Sequence, residues 1–259
     1  MKQFLGVLRY EYRMSIKRRS ILITAFIFSA YYIFMWMTNE YHFDLAEGIA
    51  NPLFAQAGQN VFGLNLFFPV VVGIAASDRA IRDFKLGTRE LLRATDLRNS
   101  TYVLGKYFGV VLSFVTLEFV IVFFVSIFIV IKMHWSALFI LYNLLSVLLI
   151  STPGLCFIIA FSLLCPLFMP LRVYQILFTG YWYWGNFISP TVMITLSDTV
   201  LNASGEFPMT AFLGVMVSAD SPEVTQAKAI ANILTLLLVA ALALTGMTAY
   251  INKTEKRAA

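Results

Sequence analysis

The ionisable side chains that could do chemistry lie in two places: the polar stretch Asp78–Lys106, and Glu118 within an apolar run. The common catalytic motifs are missing from the sequence. Gly105-Lys106 lacks the other residues of a phosphate-binding loop, and His42 and His134 are isolated. No G-x-S-x-G nucleophile elbow occurs either. We therefore expect no enzymatic activity, no bound metal and no cofactor in this chain.

Glu118 is the most unusual polar residue of the apolar runs. A charged side chain at the bilayer centre costs about 2.5–3.5 kcal/mol on insertion scales, so Glu118 should face a cavity or a partner. Either it contacts a substrate or a coupling group, or it is a protonated or hydrogen-bonded carboxyl that fixes helix packing. The aromatic residues Tyr181, Trp182, Tyr183 and Trp184 pose a similar choice, between an interfacial belt and a gate or hydrophobic substrate surface. We retain Glu118, Tyr181, Trp182 and Trp184 as candidates for a translocation path.

The composition is that of an integral membrane protein. The 259 residues are 59% hydrophobic and 13% charged, whereas soluble domains carry roughly 25% charged residues. The net charge of +5 therefore reflects membrane topology, and we expect lipid and no nucleic acid as a partner. Cys156 and Cys165 lie in apolar surroundings and predict no disulfide.

The apolar runs predict six transmembrane helices in a single domain that covers residues 1–259. Only helices are expected, because the runs lack the alternation of barrel strands and lipid offers no hydrogen bonds to the backbone. An even number of spans places both termini on one side. The predicted spans are Ile21–Met37, Val61–Ala76, Tyr107–Ile131, Ala137–Cys165, Val173–Ser189 and Ile230–Ile251.

The loop charges predict which side is cytoplasmic. Of the 19 Lys and Arg residues, 17 fall on the side of the termini, and only Lys132 and Lys228 fall opposite. The positive-inside rule makes the basic side cytoplasmic. We therefore expect a multi-pass protein of the cell membrane, most simply a prokaryotic plasma membrane, with both termini inside.

Two segments outside the spans have distinct patterns. Residues 1–19 combine an apolar stripe with Arg9, Arg13 and Lys17 at steps of four, which predicts an amphipathic helix at the inner interface or a simple topogenic charge cluster. Residues 191–226 are moderately apolar but too short for a span, which predicts a re-entrant or interfacial outer segment. Asn202-Ala203-Ser204 also matches a glycosylation sequon.

Two predicted spans contain helix breakers. Span two has Asn65, Pro69 and Gly73, and span four has Ser151-Thr152-Pro153-Gly154 near its centre. Proline removes a backbone donor and kinks a helix, and Ser or Thr can satisfy the freed carbonyl groups. Each kink is either a hinge that lines a cavity or ordinary packing.

The polar stretch contains a pattern of known type. Gly87-Thr88 precedes Glu90-Leu91-Leu92, then Thr95 and Arg98, and the stretch ends in Tyr102-Val103-Leu104-Gly105-Lys106. This pattern resembles the loop between the second and third spans of ABC-2 type transporter permeases. Asp96 stands where proline is usual in that family. Locally, Thr88 is an acceptable N-cap, Glu90 suits the positive end of a helix, and Leu91 and Leu92 offer apolar anchors.

The resemblance implies a function as the membrane subunit of an ATP-binding cassette exporter. Residues 78–106 would form the cytoplasmic coupling loop that docks onto a separate ATPase subunit. That subunit would bind ATP and Mg²⁺, and a second permease copy, identical or related, would complete the transporter. The residues that the motif assigns to coupling are Gly87, Thr88, Glu90, Leu91, Leu92 and Arg93.

The residues leave two other functions open. One is a secondary transporter or channel without an ATPase, although the two halves of the chain show no convincing inverted symmetry. The other is a membrane anchor or regulatory module that uses the same loop for docking. A peptide, drug, lipid or glycan would each suit the apolar cleft of an exporter, and the sequence does not choose among them.

Overall fold

The computed structural model describes residues 2–38, 49–85, 97–215 and 224–258, and the regular structure in these ranges is helical throughout. Within these ranges the α-helices are α1 Lys2–Ile16, α2 Arg19–Met37, α3 Pro52–Leu64, α4 Phe68–Lys85, α5 Asn99–Met133, α6 Leu138–Ser146, α7 Thr152–Leu164, α8 Leu171–Phe187, α9 Glu206–Leu213 and α10 Gln226–Ala258. A π-helical turn, Val147–Ser151, joins α6 to α7, and a 3₁₀ turn, Cys165–Leu167, follows α7.

In the part of the chain that the structure describes, three helical stretches are long and apolar enough to cross a membrane: Asn99–Met133, Leu138–Leu167 and Gln226–Lys256. Two bent pairs raise the number to five if each pair is one span. Helix α1 meets α2 at 56°, and α3 meets α4 at 47°. The predicted fold class is thus confirmed as all-helical, but six spans are not confirmed. The predicted fifth span corresponds to α8, which has only 17 residues.

The break between α3 and α4 follows from local chemistry. Asn65 ends α3, and Pro69 is the second residue of α4, where a missing N–H costs no hydrogen bond. The three residues between the helices turn tightly, with the Leu66 and Phe67 amides bonding back to carbonyl groups three residues earlier. The predicted second span is therefore interrupted near its start, and α4 continues well beyond its predicted end.

The π-helical turn lies where proline interrupts the fourth predicted span. Pro153 has no N–H, so the usual hydrogen-bond pattern of the helix fails one turn earlier. The Thr152 amide bonds instead to the Val147 carbonyl, five residues back, and the Thr152 hydroxyl donates to the same oxygen at 3.0 Å. Such π-turns within α-helices are frequent at functional sites.

Helix α5 lies at the centre and contacts α1, α2, α6, α7 and α10. The polar stretch Asp78–Lys106 is not one continuous loop, since its first eight residues belong to α4 and its last eight belong to α5. Residues 86–96 lie outside the described ranges. The polar stretch therefore begins within α4 and ends within α5.

The outer segment 191–226 contains the short buried helix α9, which packs on α3 and α10. The residues just before α9 are buried and pack against the π-helical turn. Gly205 has a positive φ of 89°, and a Cβ there would lie 2.5 Å from the Ile150 carbonyl oxygen, so only glycine fits. Asn202 is buried and donates to the Ser197 carbonyl at 2.7 Å. This amide has no room for a glycan.

Candidate functional site

Five buried side chains form a charge cluster where α1, α4 and α5 meet. Its members are Glu11, Arg79, Asp83, Tyr102 and Lys106, and none is more than 9% exposed. The Lys106 ammonium donates to Glu11 Oε1 at 2.5 Å and to Asp83 Oδ2 at 2.8 Å. The Tyr102 hydroxyl donates to the same Asp83 oxygen at 2.5 Å. One lysine of α5 thus joins an acid of α1 to an acid of α4.

The charges of this cluster balance, with two carboxylates against two cations. Buried ions are tolerated only when their attraction and hydrogen bonds offset the loss of water, so the balance is a condition for burial. Arg79 has fewer hydrogen-bond partners than Lys106. Its three side-chain nitrogens have no hydrogen bond within the described part of the chain, although Glu11 and Asp78 attract it electrostatically.

Two glycines allow α1 to approach α5 closely enough for the ion pair. A Cβ at Gly105 would lie 2.8 Å from Val7 Cβ, and one at Gly109 would lie 2.7 Å from Glu11 Cβ and 2.8 Å from the Leu8 carbonyl oxygen. Glycines four residues apart are a known means of bringing membrane helices into backbone contact. Since residues 7 to 11 meet residues 105 to 109 in order, the two helices run parallel.

Gly109→Ala is expected to lower the free energy of unfolding by about 1–3 kcal/mol, because the new methyl group overlaps the α1 backbone and α1 must shift. The measurement is thermal unfolding of the purified protein in detergent. Gly246→Ala in α10 is the matched control, since a Cβ there meets nothing within 4 Å. Equal melting temperatures for the two variants would contradict the close packing of α1 on α5.

Helix α1 falls within the predicted residues 1–19, and its position at a membrane interface stays a prediction. Arg9, Arg13 and Lys17 are exposed, as an interfacial stripe requires. The buried residues, however, are Glu11 and Ser15 rather than an apolar stripe. Helix α1 is therefore held by packing and ion pairing to α5. The signal in the sequence was a single acid among many basic residues before the first span.

Glu118 lies in the middle of α5, about 18 Å along the helix axis from Lys106 at 1.5 Å per residue. Its carboxyl is fully buried, and neither oxygen has a hydrogen-bond partner among the described residues. Ser151 is the polar side chain beside it. The Ser151 hydroxyl donates to Asn65 Oδ1 at 2.8 Å, and the Asn65 amide donates to the Ser204 carbonyl oxygen at 2.9 Å.

These polar contacts join the two interrupted helices. Ser151 is the last residue of the π-helical turn, and Asn65 ends α3 at the break before α4. Ser204 lies in the outer segment, just before α9. From the sequence alone, Ser151 and Asn65 are expected only to interrupt helices. Their pairing required the fold, because they are 86 residues apart in the chain.

The three aromatic candidates have different surroundings. Trp182 is fully buried, and its indole nitrogen donates to the Leu66 carbonyl at 3.2 Å, at the break before α4. Tyr181 borders an apolar cavity of about 420 Å³ between α7, α8 and α10, which Glu118 does not line. Trp184 is 39% exposed on the outside of α8. The three aromatic residues therefore do not surround one site.

The six residues predicted to couple to an ATPase, Gly87, Thr88, Glu90, Leu91, Leu92 and Arg93, all lie outside the described residues. The described residues contain no group of three His, Cys, Asp or Glu side chains that could hold a metal ion. Cys156 and Cys165 are free thiols, as the sequence predicted.

The fold and the site together define an all-helical protein whose long apolar helices are consistent with a membrane protein. Neither a protein-family model nor a curated protein matches the sequence.

Proposed function

We propose that this chain is the membrane permease subunit of an ATP-driven exporter of the ABC-2 type, with six spans and both termini in the cytoplasm. The observation that carries the proposal is the charge cluster, combined with the motif resemblance of residues 87–106. Lys106 of α5 forms ion pairs with Asp83 of α4 and Glu11 of α1, so it links the two helices that flank residues 86–96 to the N-terminal helix. A force applied to the segment between α4 and α5 would reach all three helices at this cluster.

The mechanism we propose is a transfer of motion from a partner ATPase to the spans. The partner binds ATP and Mg²⁺, and its closure moves the helix predicted at Gly87–Arg93. The charge cluster resists shear between α1, α4 and α5, because separating any pair would leave a buried charge uncompensated. The three helices then move together. Two permease copies would open a central cleft outward for an amphipathic or hydrophobic substrate.

The depth of the outer segment supports a re-entrant path before α10. Irregular backbone is tolerated at membrane depth only where protein satisfies its polar groups. Here three buried asparagine side chains do so. Asn65 donates to the Ser204 carbonyl, Asn186 accepts from the Ala203 amide, and Asn232 donates to the Val200 and Asn202 carbonyls.

The test is whether an ATPase copurifies with this chain from its own membranes. The double substitution Leu91→Asp and Leu92→Asp should release the ATPase, since two carboxylates cannot enter an apolar groove on the partner without a large desolvation cost. Adding the same charge in the tail, with Ala258→Asp and Ala259→Asp, should leave the complex intact. Full retention of the ATPase by the loop variant would contradict the coupling assignment.

A second candidate function is a transporter or channel without an ATPase. The observation in its favour is that two interrupted helices meet at Asn65 and Ser151, beside an unpaired acid. Broken helices around a polar site are common in secondary transporters. Transport into vesicles by the purified chain alone, driven by an ion gradient without ATP, would favour this function over the exporter.

A further inference from the structure

The Glu118 carboxyl has surroundings that suit a neutral acid and not a carboxylate. The side chain is 0% exposed, and neither oxygen has a partner that meets ordinary hydrogen-bond geometry among the described residues, although the Ser151 side chain lies next to the carboxyl. The nearby Ser151 hydroxyl has its hydrogen directed to Asn65. An ionised carboxylate without water, cation or donor is so costly that such groups neutralise instead.

No charged group on the packed helices compensates Glu118. The cluster at Glu11, Asp83 and Lys106 is about 18 Å away along α5. Helix α2 carries no acid or base between Ile21 and Met37, and neither does the stretch 138–164 of α6 and α7. In α10 the sequence from Ala229 to Ala249 is likewise uncharged.

The other polar contacts in this part of α5 involve groups that carry no positive charge. The Tyr12 hydroxyl of α1 donates to Thr116 Oγ1 at 3.4 Å, and the Cys156 carbonyl of α7 accepts from Tyr107 at 3.1 Å. Neither provides a positive charge for a carboxylate. The burial of Glu118 is therefore explained only if its charge is removed.

We propose that Glu118 is a proton-binding site, and that the bound proton is donated to the Ser151 hydroxyl oxygen. Ser151 Oγ is free to accept, because its own hydrogen is used on Asn65. The result is a hydrogen-bonded chain that runs in one direction, from Glu118 to Ser151, to Asn65 and to the Ser204 carbonyl oxygen. The chain ties α5 to the π-helical turn, to the end of α3 and to the outer segment.

The bound proton makes the contact between α5 and the π-helical turn sensitive to separation of these helices. If the helices separate and water enters, the carboxyl O–H bond breaks, the proton passes to water, and the carboxylate is hydrated. The hydrogen bond to Ser151 is then lost, which releases α5 from the π-helical turn. Each opening would release one proton and each closing would take one up. The proposal stands whether or not an ATPase drives the opening.

Infrared spectroscopy of the purified full chain in detergent at neutral pH tests the proposal. A protonated carboxylic acid has a carbonyl band well separated from that of a carboxylate. We expect such a band in the wild type and its loss in Glu118→Gln, which keeps the shape and a donor for Ser151. Asp198→Asn, which removes an exposed acid, should leave the band unchanged. A band that survives Glu118→Gln at full intensity would overturn the proposal.

Ser151→Ala provides a second, independent variant. Without the hydroxyl acceptor, the Glu118 band should persist but shift in frequency, since its hydrogen bond is gone. An unshifted band in this variant would also count against the proposed pairing, whatever the stability of Glu118→Gln.

The pH dependence of the melting temperature gives a further test, which does not rely on the infrared band. If the folded protein holds the Glu118 proton as proposed and the hydrated side chain of the unfolded state releases it, unfolding releases a proton and stability falls as pH rises. The melting temperature of the wild type should therefore fall more between pH 5 and pH 8 than that of Glu118→Gln. Parallel curves would contradict proton binding in the folded state.

Discussion

Replacing Lys106 by methionine is expected to lower the free energy of unfolding by about 3–5 kcal/mol, the range measured when one partner of a buried ion pair is removed. Methionine fills much of the same space, so the loss is electrostatic rather than steric. Without the ammonium, Glu11 and Asp83 would be left in a buried site where Arg79 makes no hydrogen bond to them. The measurement is equilibrium unfolding by SDS titration in mixed micelles.

The controls for Lys106→Met separate charge from helix position. Lys17→Met removes an exposed lysine of the N-terminal segment and should change the free energy of unfolding by less than about 0.5 kcal/mol. Adding Glu11→Gln and Asp83→Asn to Lys106→Met should recover part of the loss, since buried ion pairs are often replaceable by neutral groups as a set. A Lys106→Met protein as stable as the Lys17→Met control would show that the cluster is not ionised and buried as described.

The second large effect is expected at Gly154, the third residue of α7. A Cβ there would overlap the backbone carbonyl oxygen of Ala203, which cannot rotate away as a side-chain tip can. Gly154→Ala should therefore displace the outer segment and cost about 3 kcal/mol, at the upper end of the range for overpacked sites. Thermal unfolding of the purified protein measures this loss.

Gly180→Ala in α8 is the control for Gly154→Ala, because a Cβ at Gly180 meets nothing within 4 Å. It should leave the melting temperature unchanged or slightly raised, as alanine favours helix over glycine. If both substitutions behave alike, the outer segment does not lie against α7 as the structure places it. Protease cleavage within residues 191–226 gives a second readout, and should increase in Gly154→Ala alone.

Much of the helical layout could be predicted from the sequence, because long apolar runs in this chain can only be satisfied as helices. The predicted span Ile21–Met37 matches α2 within two residues, and Tyr107–Ile131 lies wholly within α5. Pro69 and Pro153 were read correctly as interruptions, since a missing N–H acts locally. The predicted ends of α4 and α5 beside the polar stretch were wrong, because both helices continue into charged residues that lack the apolar pattern of a membrane span.

The charge cluster could not be predicted, because burial of a charge depends on its partner and not on its neighbours in the chain. Arg79, Asp83 and Lys106 stand in a stretch that has the composition of a solvated loop. Only the fold brings Glu11 to Lys106 and thereby removes both from water. Glu118 was the opposite case. Its apolar neighbours already predicted burial, although they gave no indication of Ser151.

The pairing of Glu11 with Lys106 also constrains how the protein is assembled. The two residues are 95 positions apart, whereas Asp83 precedes Lys106 by only 23. During synthesis α1 leaves the ribosome long before α5 exists, and its acid has no buried partner until then. Contacts between distant parts of a chain form late and expose intermediates to misassembly. Helix α1 is therefore synthesised well before α5, and its Glu11 gains a buried cationic partner only after α5 has been made.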